Sequence, residues 1–210
     1  MKEVAVITKT VLMACILFAL ALEGAIAAGD QQEDQQLPLM KPALLVIDIQ
    51  NAWLPFMAVA DRDSAPAKIN EAIALFRKSG NPVITVYHTD PKLGPPPGTD
   101  AFKFPDWVAI EADDPVIVKN YPSSFKETAL DSVLKEKGCN AVFLCGLSAT
   151  GCVLATYFGA DERGYVAFMV DGALISPKSE HTRMIEEISD SVTLGELATL
   201  LNGQRRLQNR

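Results

Sequence analysis

Two hydrophobic patterns alternate along the chain from Pro42 onward. The first is a short apolar run with almost no polar interruption. "ALLVID" ends at Asp48, "PVITVYH" at His88, "PVIVK" at Lys119, "NAVFLCGL" at Leu147 and "YVAFMVD" at Asp171, and "SVTL" is a candidate for a shorter sixth. Runs of this length, rich in Val and Ile, are what strands buried on both faces look like. Between them lie stretches with helical spacing and sensible stops. "SAPAKINEAIALFRKSG" carries Ile69, Ile73 and Phe76 on one face and stops at Gly80. "SFKETALDSVLKEKG" opens on Ser124 and Glu127, a capping-box spacing, and stops at Gly138. "CVLATYFGADERG" and "SEHTRMIEEISD" follow the fourth and fifth runs. Alternation of this kind predicts an α/β fold, a three-layer α/β/α sandwich around a mostly parallel sheet of about six strands. One long segment, Thr89 to Trp107, is too proline-rich for either element, and loops of that length are usually functional.

Open parallel sheets bind ligands in the crevice beyond the carboxyl ends of their strands. Asp48, Lys119 and the turn carrying Cys152 all fall at such ends, so residues tens of positions apart converge there. Alone, each has an ordinary explanation: a turn aspartate, a solvated lysine, an inert core cysteine. Together they form a chemical set. A thiol is mostly protonated at neutral pH, so a nucleophilic cysteine needs a base, a nearby cation or a helix N-terminus. Asp48 would accept the proton and Lys119 would favour the thiolate. A helix starting near Thr150 or Gly151 would aim N–H groups at the sulfur.

The N-terminal thirty residues change the picture. They combine lysines, an apolar run from Val11 to Leu22 and small residues at Ala25, Ala27 and Ala28. This pattern predicts a secretory signal peptide over residues 1–27, and hence a periplasmic or secreted protein. The Gln-rich, non-periodic residues 28–41 read as a flexible lead, which leaves 42–210 as a single domain. The net charge of -7, with basic residues scattered except at the extreme C-terminus, argues against nucleic acid as a partner. Once the leader is removed nothing points to a membrane, and the expected partner is a small molecule. Three cysteines remain after the leader, Cys139, Cys145 and Cys152, an odd number that implies no disulfide framework. No C-x-x-C or H-x-x-x-H pair offers a structural zinc site.

"DIQNAW" from Asp48, "VKNYPSSF" from Val118 and "CGLSATGCVLATYFGADERGYVAFMVDGA" from Cys145 occur in an order and spacing that resemble the isochorismatase-like cysteine hydrolases. That superfamily includes nicotinamidases and N-carbamoylsarcosine amidohydrolases. The resemblance runs from about Pro42 to about Gly195. It implies Cys152 as nucleophile, Asp48 as proton acceptor and donor, and Lys119 as third member of the triad. It also places a cis peptide between Leu147 and Ser148, aiming the Ser148 N–H and the Cys152 N–H at an oxyanion. The implied reaction is hydrolysis of a small amide, ureide or carbamoyl compound through a thioester with loss of ammonia, by a homo-oligomer.

Trp53 and Tyr121, next to motif residues, are the favoured pocket walls, with Phe102, Phe104 and Trp107 as further aromatics. His88 is either a pocket hydrogen-bonding group or a solvated strand end. Where nicotinamidases carry a metal-binding D-x-H, this chain has Asp61 and Asp63 with no histidine, so no metal or other cofactor is expected. Two alternatives stay open: vinyl-ether hydrolysis of the isochorismatase type, which needs an acid but no thiol, and a catalytically silent exported binder on the same scaffold.

Overall fold

A computed structural model describes residues 39–208, apart from Leu93 and the side chains beyond Gln204. The signal-peptide residues and nearly all of the lead lie outside the described residues. Six strands form one sheet: β1 (Pro42–Ile47), β2 (Val83–His88), β3 (Val116–Lys119), β4 (Ala141–Leu147), β5 (Val166–Ile175) and β6 (Ser191–Val192). Their order is β3-β2-β1-β4-β5-β6, and every neighbouring pair is parallel.

Successive side chains of a strand point to opposite faces, and here both faces are covered. On one, Leu44 and Val46 of β1 join Ile69, Ile73 and Phe76 of α1 (Val59–Lys78) and Leu197 and Leu201 of α5 (Leu194–Gln208). On the other, Leu45 and Ile47 join Leu130 and Leu134 of α2 (Leu130–Glu136), Ala160 of α3 (Leu154–Asp161) and Ile185 of α4 (Ser179–Ile188). This is why β1 and β4 are buried along their whole length and read as continuous apolar runs. β3, at the edge, instead alternates, with Val116 and Val118 exposed.

The chain runs outward from β1 to β2 and β3, then returns to the other side of β1 with β4. The order therefore reverses between β1 and β4, where a crevice opens at the strand ends. Gly146 shapes its floor. Its φ is +112°, and a Cβ there would run into the backbone carbonyl of Ile47 on β1. Only glycine allows the two strands to approach so closely in that conformation. The β4–β5 register shifts at the same place, between Leu144 and Gly146.

Several boundaries differ from the sequence expectation. Helix α1 begins at Val59 and runs through Pro66, because its other residues pack on the sheet and hold the helix across the missing N–H. The spacing of Ser124 and Glu127 is not a capping box: α2 starts only at Leu130, the Ser124 side chain is buried against Thr156, and Glu127 has a φ of 55°. "SVTL" keeps just two residues in the sheet before α5 begins, and α5 itself was not anticipated. β5 continues past Asp171 to Ile175.

Candidate active site

The sheet order sets Lys119, His88, Asp48 and Leu147 side by side at the ends of β3, β2, β1 and β4. His88 and Lys119 are register partners, and Ile47 pairs with both Val86 and Gly146. Parallel neighbours are about 4.8 Å apart, so reaching Asp48 from β3 means spanning two spacings, and a long side chain is needed. Lys119 does this with its ammonium 2.8 Å from Asp48 Oδ2. The same Nζ lies 3.1 Å from His88 Nδ1 and 3.2 Å from the Tyr121 carbonyl oxygen. Those three acceptors match the three N–H bonds of an ammonium. Lys119 is 1% exposed and Asp48 2%, so the pair is buried.

An ammonium can only donate, so Nδ1 of His88 must offer its lone pair, and the ring proton resides on Nε2. Burial, with Lys119 beside it, holds the His88 pKa below its ordinary value and keeps the ring neutral. The Trp53 ring meets it edge-on at 5.9 Å between centroids.

The first motif acquires a structural reason beyond Asp48. Gln50 Nε2 donates to the carbonyls of His88 (3.1 Å) and Phe102 (3.0 Å), and Gln50 Oε1 accepts from the His88 N–H (2.8 Å). Asn51 Nδ2 donates to the Asp100 carbonyl at 3.0 Å. These amides pin the long proline-rich loop to the end of β1, and a buried polar side chain that meets its partners this fully fixes local geometry.

Cys152 stands in the turn that follows β4. The Leu147–Ser148 peptide is cis. Gly151 departs from helical geometry (φ -116°, ψ -106°), and the α-helix proper begins at Leu154, beyond the cysteine. The N–H groups of Gly151 and Val153 both donate to the Ser148 carbonyl, and that of Leu154 reaches the Ala149 and Gly151 carbonyls. The first-turn donors expected to face the sulfur are thus largely engaged within the turn. A relay that sequence reading missed holds the cysteine from behind. Thr156 Oγ1 donates to the Cys152 carbonyl at 2.7 Å, so the Ser124 hydroxyl must be the donor in its 2.8 Å contact with Thr156. The Ser124 N–H donates to the same oxygen at 3.0 Å.

A cavity of ≈ 230 Å³ opens where these elements meet. Asp48, His88 and Cys152 are its ionisable members, with donor atoms all within 4.8 Å of one another. Trp53, Met57 and Leu147 supply its apolar wall, and Ser148 also lines it. Tyr121 is absent from the lining: it gives Lys119 a carbonyl, while its ring lies 3.9 Å from the Lys126 ammonium. Phe102 and Phe104 pack against Tyr87, and Trp107 packs against the core. Met57 had no sequence signal, since it lies four residues past the motif in an irregular segment.

Electrostatics run against the sequence expectation of a preformed thiolate. Burial, reinforced by the Asp48 charge, pushes the Cys152 thiol up to about 12, with Lys119 pulling only partly against it. Burial likewise raises the Asp48 carboxyl above the ordinary aspartate value, opposed by Lys119. Asp48 Oδ1 is buried with no hydrogen-bond partner, and such an atom in a cavity wall is free to take a proton. The resting state is therefore a thiol beside a base. Replacing Asp48 with Asn removes the charge that opposes the thiolate and leaves Lys119 nearby, so Asp48→Asn should lose turnover and yet alkylate faster at Cys152. Iodoacetamide labelling followed by peptide mass analysis reads this; slower labelling in the variant would contradict it.

Among the described residues, Asp48, His88 and Cys152 are the group close enough to suggest a metal site. The neighbourhood does not suit one. Lys119 places an ammonium 2.8 Å and 3.1 Å from two of the three and leaves His88 an N–H donor instead of a ligand. The D-x-H position does not fit a metal either: Asp61 is buried, accepting from the Ser176 N–H (3.1 Å) and the Thr182 hydroxyl (2.6 Å), a tie between α1 and the end of β5.

The isochorismatase domain model matches residues 42–197. The chain belongs to the isochorismatase family. An isochorismatase family protein of Bacillus subtilis, YddQ, is 35% identical over 64% of this chain and 77% of its own length. Maleamate amidohydrolase from Pseudomonas putida is 27% identical over 62% of this chain and 70% of its own. Among solved structures, N-carbamoylsarcosine amidase from Thermoplasma acidophilum matches with a TM-score of 0.63 and 28% identity, covering 73% of this chain and 95% of that one. This isochorismatase-family fold and its hydrolase class agree with the resemblance carried by the three motifs.

Proposed function

We propose that the protein hydrolyses the carbonyl–nitrogen bond of a small amide, ureide or carbamoyl compound through a covalent thioester on Cys152. The observation that carries this reading is the Cys152 sulfur sharing a cavity with the unpartnered, fully buried Oδ1 of Asp48. Asp48 takes the thiol proton as Sγ attacks the carbonyl carbon, then returns it to the departing nitrogen, releasing ammonia. Water enters, Asp48 removes its proton, and the acid leaves as the thiol re-forms. Lys119 keeps the carboxylate oriented through both halves without touching substrate. The N–H groups of Ser148 and Cys152 serve the oxyanion; one such donor contributes roughly 3–4 kcal/mol in comparable sites. The amide-cleaving relatives support this chemistry over vinyl-ether hydrolysis, which leaves the cavity thiol without a task.

The test is an ammonia-release screen over primary amides, ureides and carbamoyl compounds, with Cys152→Ala as the control. No release from any member, or equal release from the variant, counts against the reading. Export and a homo-oligomeric state belong to the same proposal, the first resting on the leader-like residues 1–27. Mass analysis of the N-terminus after expression should find the chain beginning near Ala28; an intact Met1 terminus in exported material would contradict cleavage.

A further inference from the structure

The charge balance of the cavity says what kind of substrate it takes. Of the residues lining it, Asp48 is the acidic one and none is a lysine or arginine. The nearest ammonium, Lys119, is 1% exposed and has its three N–H bonds committed to Asp48, His88 and Tyr121. It has no donor left for a ligand. The walls are Trp53, Met57 and Leu147, and the polar handles are neutral: the His88 Nε2–H, the Ser148 hydroxyl and the Trp53 indole N–H, which is buried without a hydrogen-bond partner. At ≈ 230 Å³, the space equals about eight water volumes.

We propose that this site selects small uncharged carbonyl compounds with an apolar substituent and rejects those carrying a carboxylate. The proposal rests on the reading that Cys152 attacks a carbonyl in this cavity. A carboxylate placed there would meet an apolar wall, neutral donors only and the like charge of Asp48, with no lysine or arginine in the lining to pair with. Desolvated anions are retained only where they are paired and hydrogen-bonded. An apolar group of the same size loses nothing on entering, and a single acceptor on it can be held by the His88 N–H. Maleamate, the substrate in the name of one relative, carries a carboxylate, so the inference separates this chain from that relative by charge.

The decisive probe is a matched pair of alkylating reagents on the full chain. Iodoacetamide and iodoacetate differ in charge and hardly in size, and both report at Cys152 by peptide mass. The rate ratio of neutral to anionic reagent at Cys152 should exceed the same ratio on free cysteine by at least ~10-fold, the scale of one close charge interaction in a desolvated site. Met57→Lys, which adds a cation to the wall, should bring that ratio back toward the free value; Met57→Gln, of similar size and uncharged, should not. In turnover, (Z)-but-2-enamide should be preferred over maleamate, its carboxylate counterpart, by at least ~100-fold in kcat/KM. A Cys152 ratio equal to that of free cysteine, or maleamate hydrolysed as well as its neutral partner, overturns the proposal. Absence of turnover with both amides would tell against the amidase reading alone, because the alkylation ratio decides the charge preference without any hydrolysis.

Discussion

Cys152→Ala will fold as the parent does and release ammonia from no substrate that the parent hydrolyses, a fall of at least ~10⁴-fold in kcat. Both halves of this expectation come from the geometry. The turn around the cysteine is held by backbone and by Thr156, which donates to the Cys152 carbonyl; the sulfur makes none of these bonds. Removing a half-buried sulfur at the wall of an open cavity should cost no more than about 1 kcal/mol. In a covalent mechanism, however, Asp48 has nothing to deprotonate once the thiol is gone except water, and water is not positioned for the first attack. Thermal unfolding together with the ammonia assay checks both statements. Turnover within tenfold of the parent would remove Cys152 from the mechanism.

The second large effect is on stability. Lys119→Met keeps the length and apolar body of the side chain and deletes the ammonium, leaving Asp48 buried with neither of its oxygens paired to a cation. Breaking a buried pair by removing one partner typically costs about 3–5 kcal/mol. Here the cost should depend on pH in a defined direction. The Asp48 carboxyl is already raised by burial from its ordinary value of 3.8, and Lys119 is the main influence lowering it. Without the lysine the folded carboxyl rises further while the unfolded one stays put. A group whose folded pKa is raised carries no penalty below its unfolded pKa, where both states hold the proton. The penalty then grows as pH climbs from about 4 until the folded carboxyl ionises. Urea unfolding at pH 5 and pH 8 should therefore show a small loss at the first and a large one at the second. An equal loss at both would mean that lost packing, and not the stranded carboxylate, is what the variant suffers.

Much of the architecture was legible in the sequence because burial on both faces leaves a plain trace. The strands that became β1, β2 and β4 were visible as apolar runs, and each chemical residue could be placed at a strand end. What escaped was tertiary in origin. Ser124 looks like a helix cap, since a serine three residues before a glutamate usually is, but its hydroxyl was claimed by Thr156, whose approach no local pattern reveals. Helix α5 went unread: its buried Leu194, Leu197 and Leu201 are interleaved with Gly195 and Gly203, which weaken a helical signal that docking on the sheet restores. The direction of the Cys152 shift was also missed. A lysine and a helix start argue for a lowered pKa, but the helix begins past the cysteine, and desolvation with the Asp48 charge outweighs the lysine. The Tyr121 ring was expected in the cavity wall on adjacency alone, and adjacency does not fix which way a side chain turns.

Lys119, His88, Asp48 and the β4 turn stand in one row on four neighbouring strands, each belonging to a different part of the chain. The sheet supplies their spacing through backbone pairing that is indifferent to what the terminal side chains are. Each strand end is in that sense a slot, although the occupants Lys119 and Asp48 are tied together as a buried ion pair and can change only in concert. Outside that pair, a scaffold arranged like this can diversify one position at a time. The charge of the wall at Met57, outside the row, can change independently of the nucleophile and its base, so substrate preference and catalytic machinery can be inherited separately.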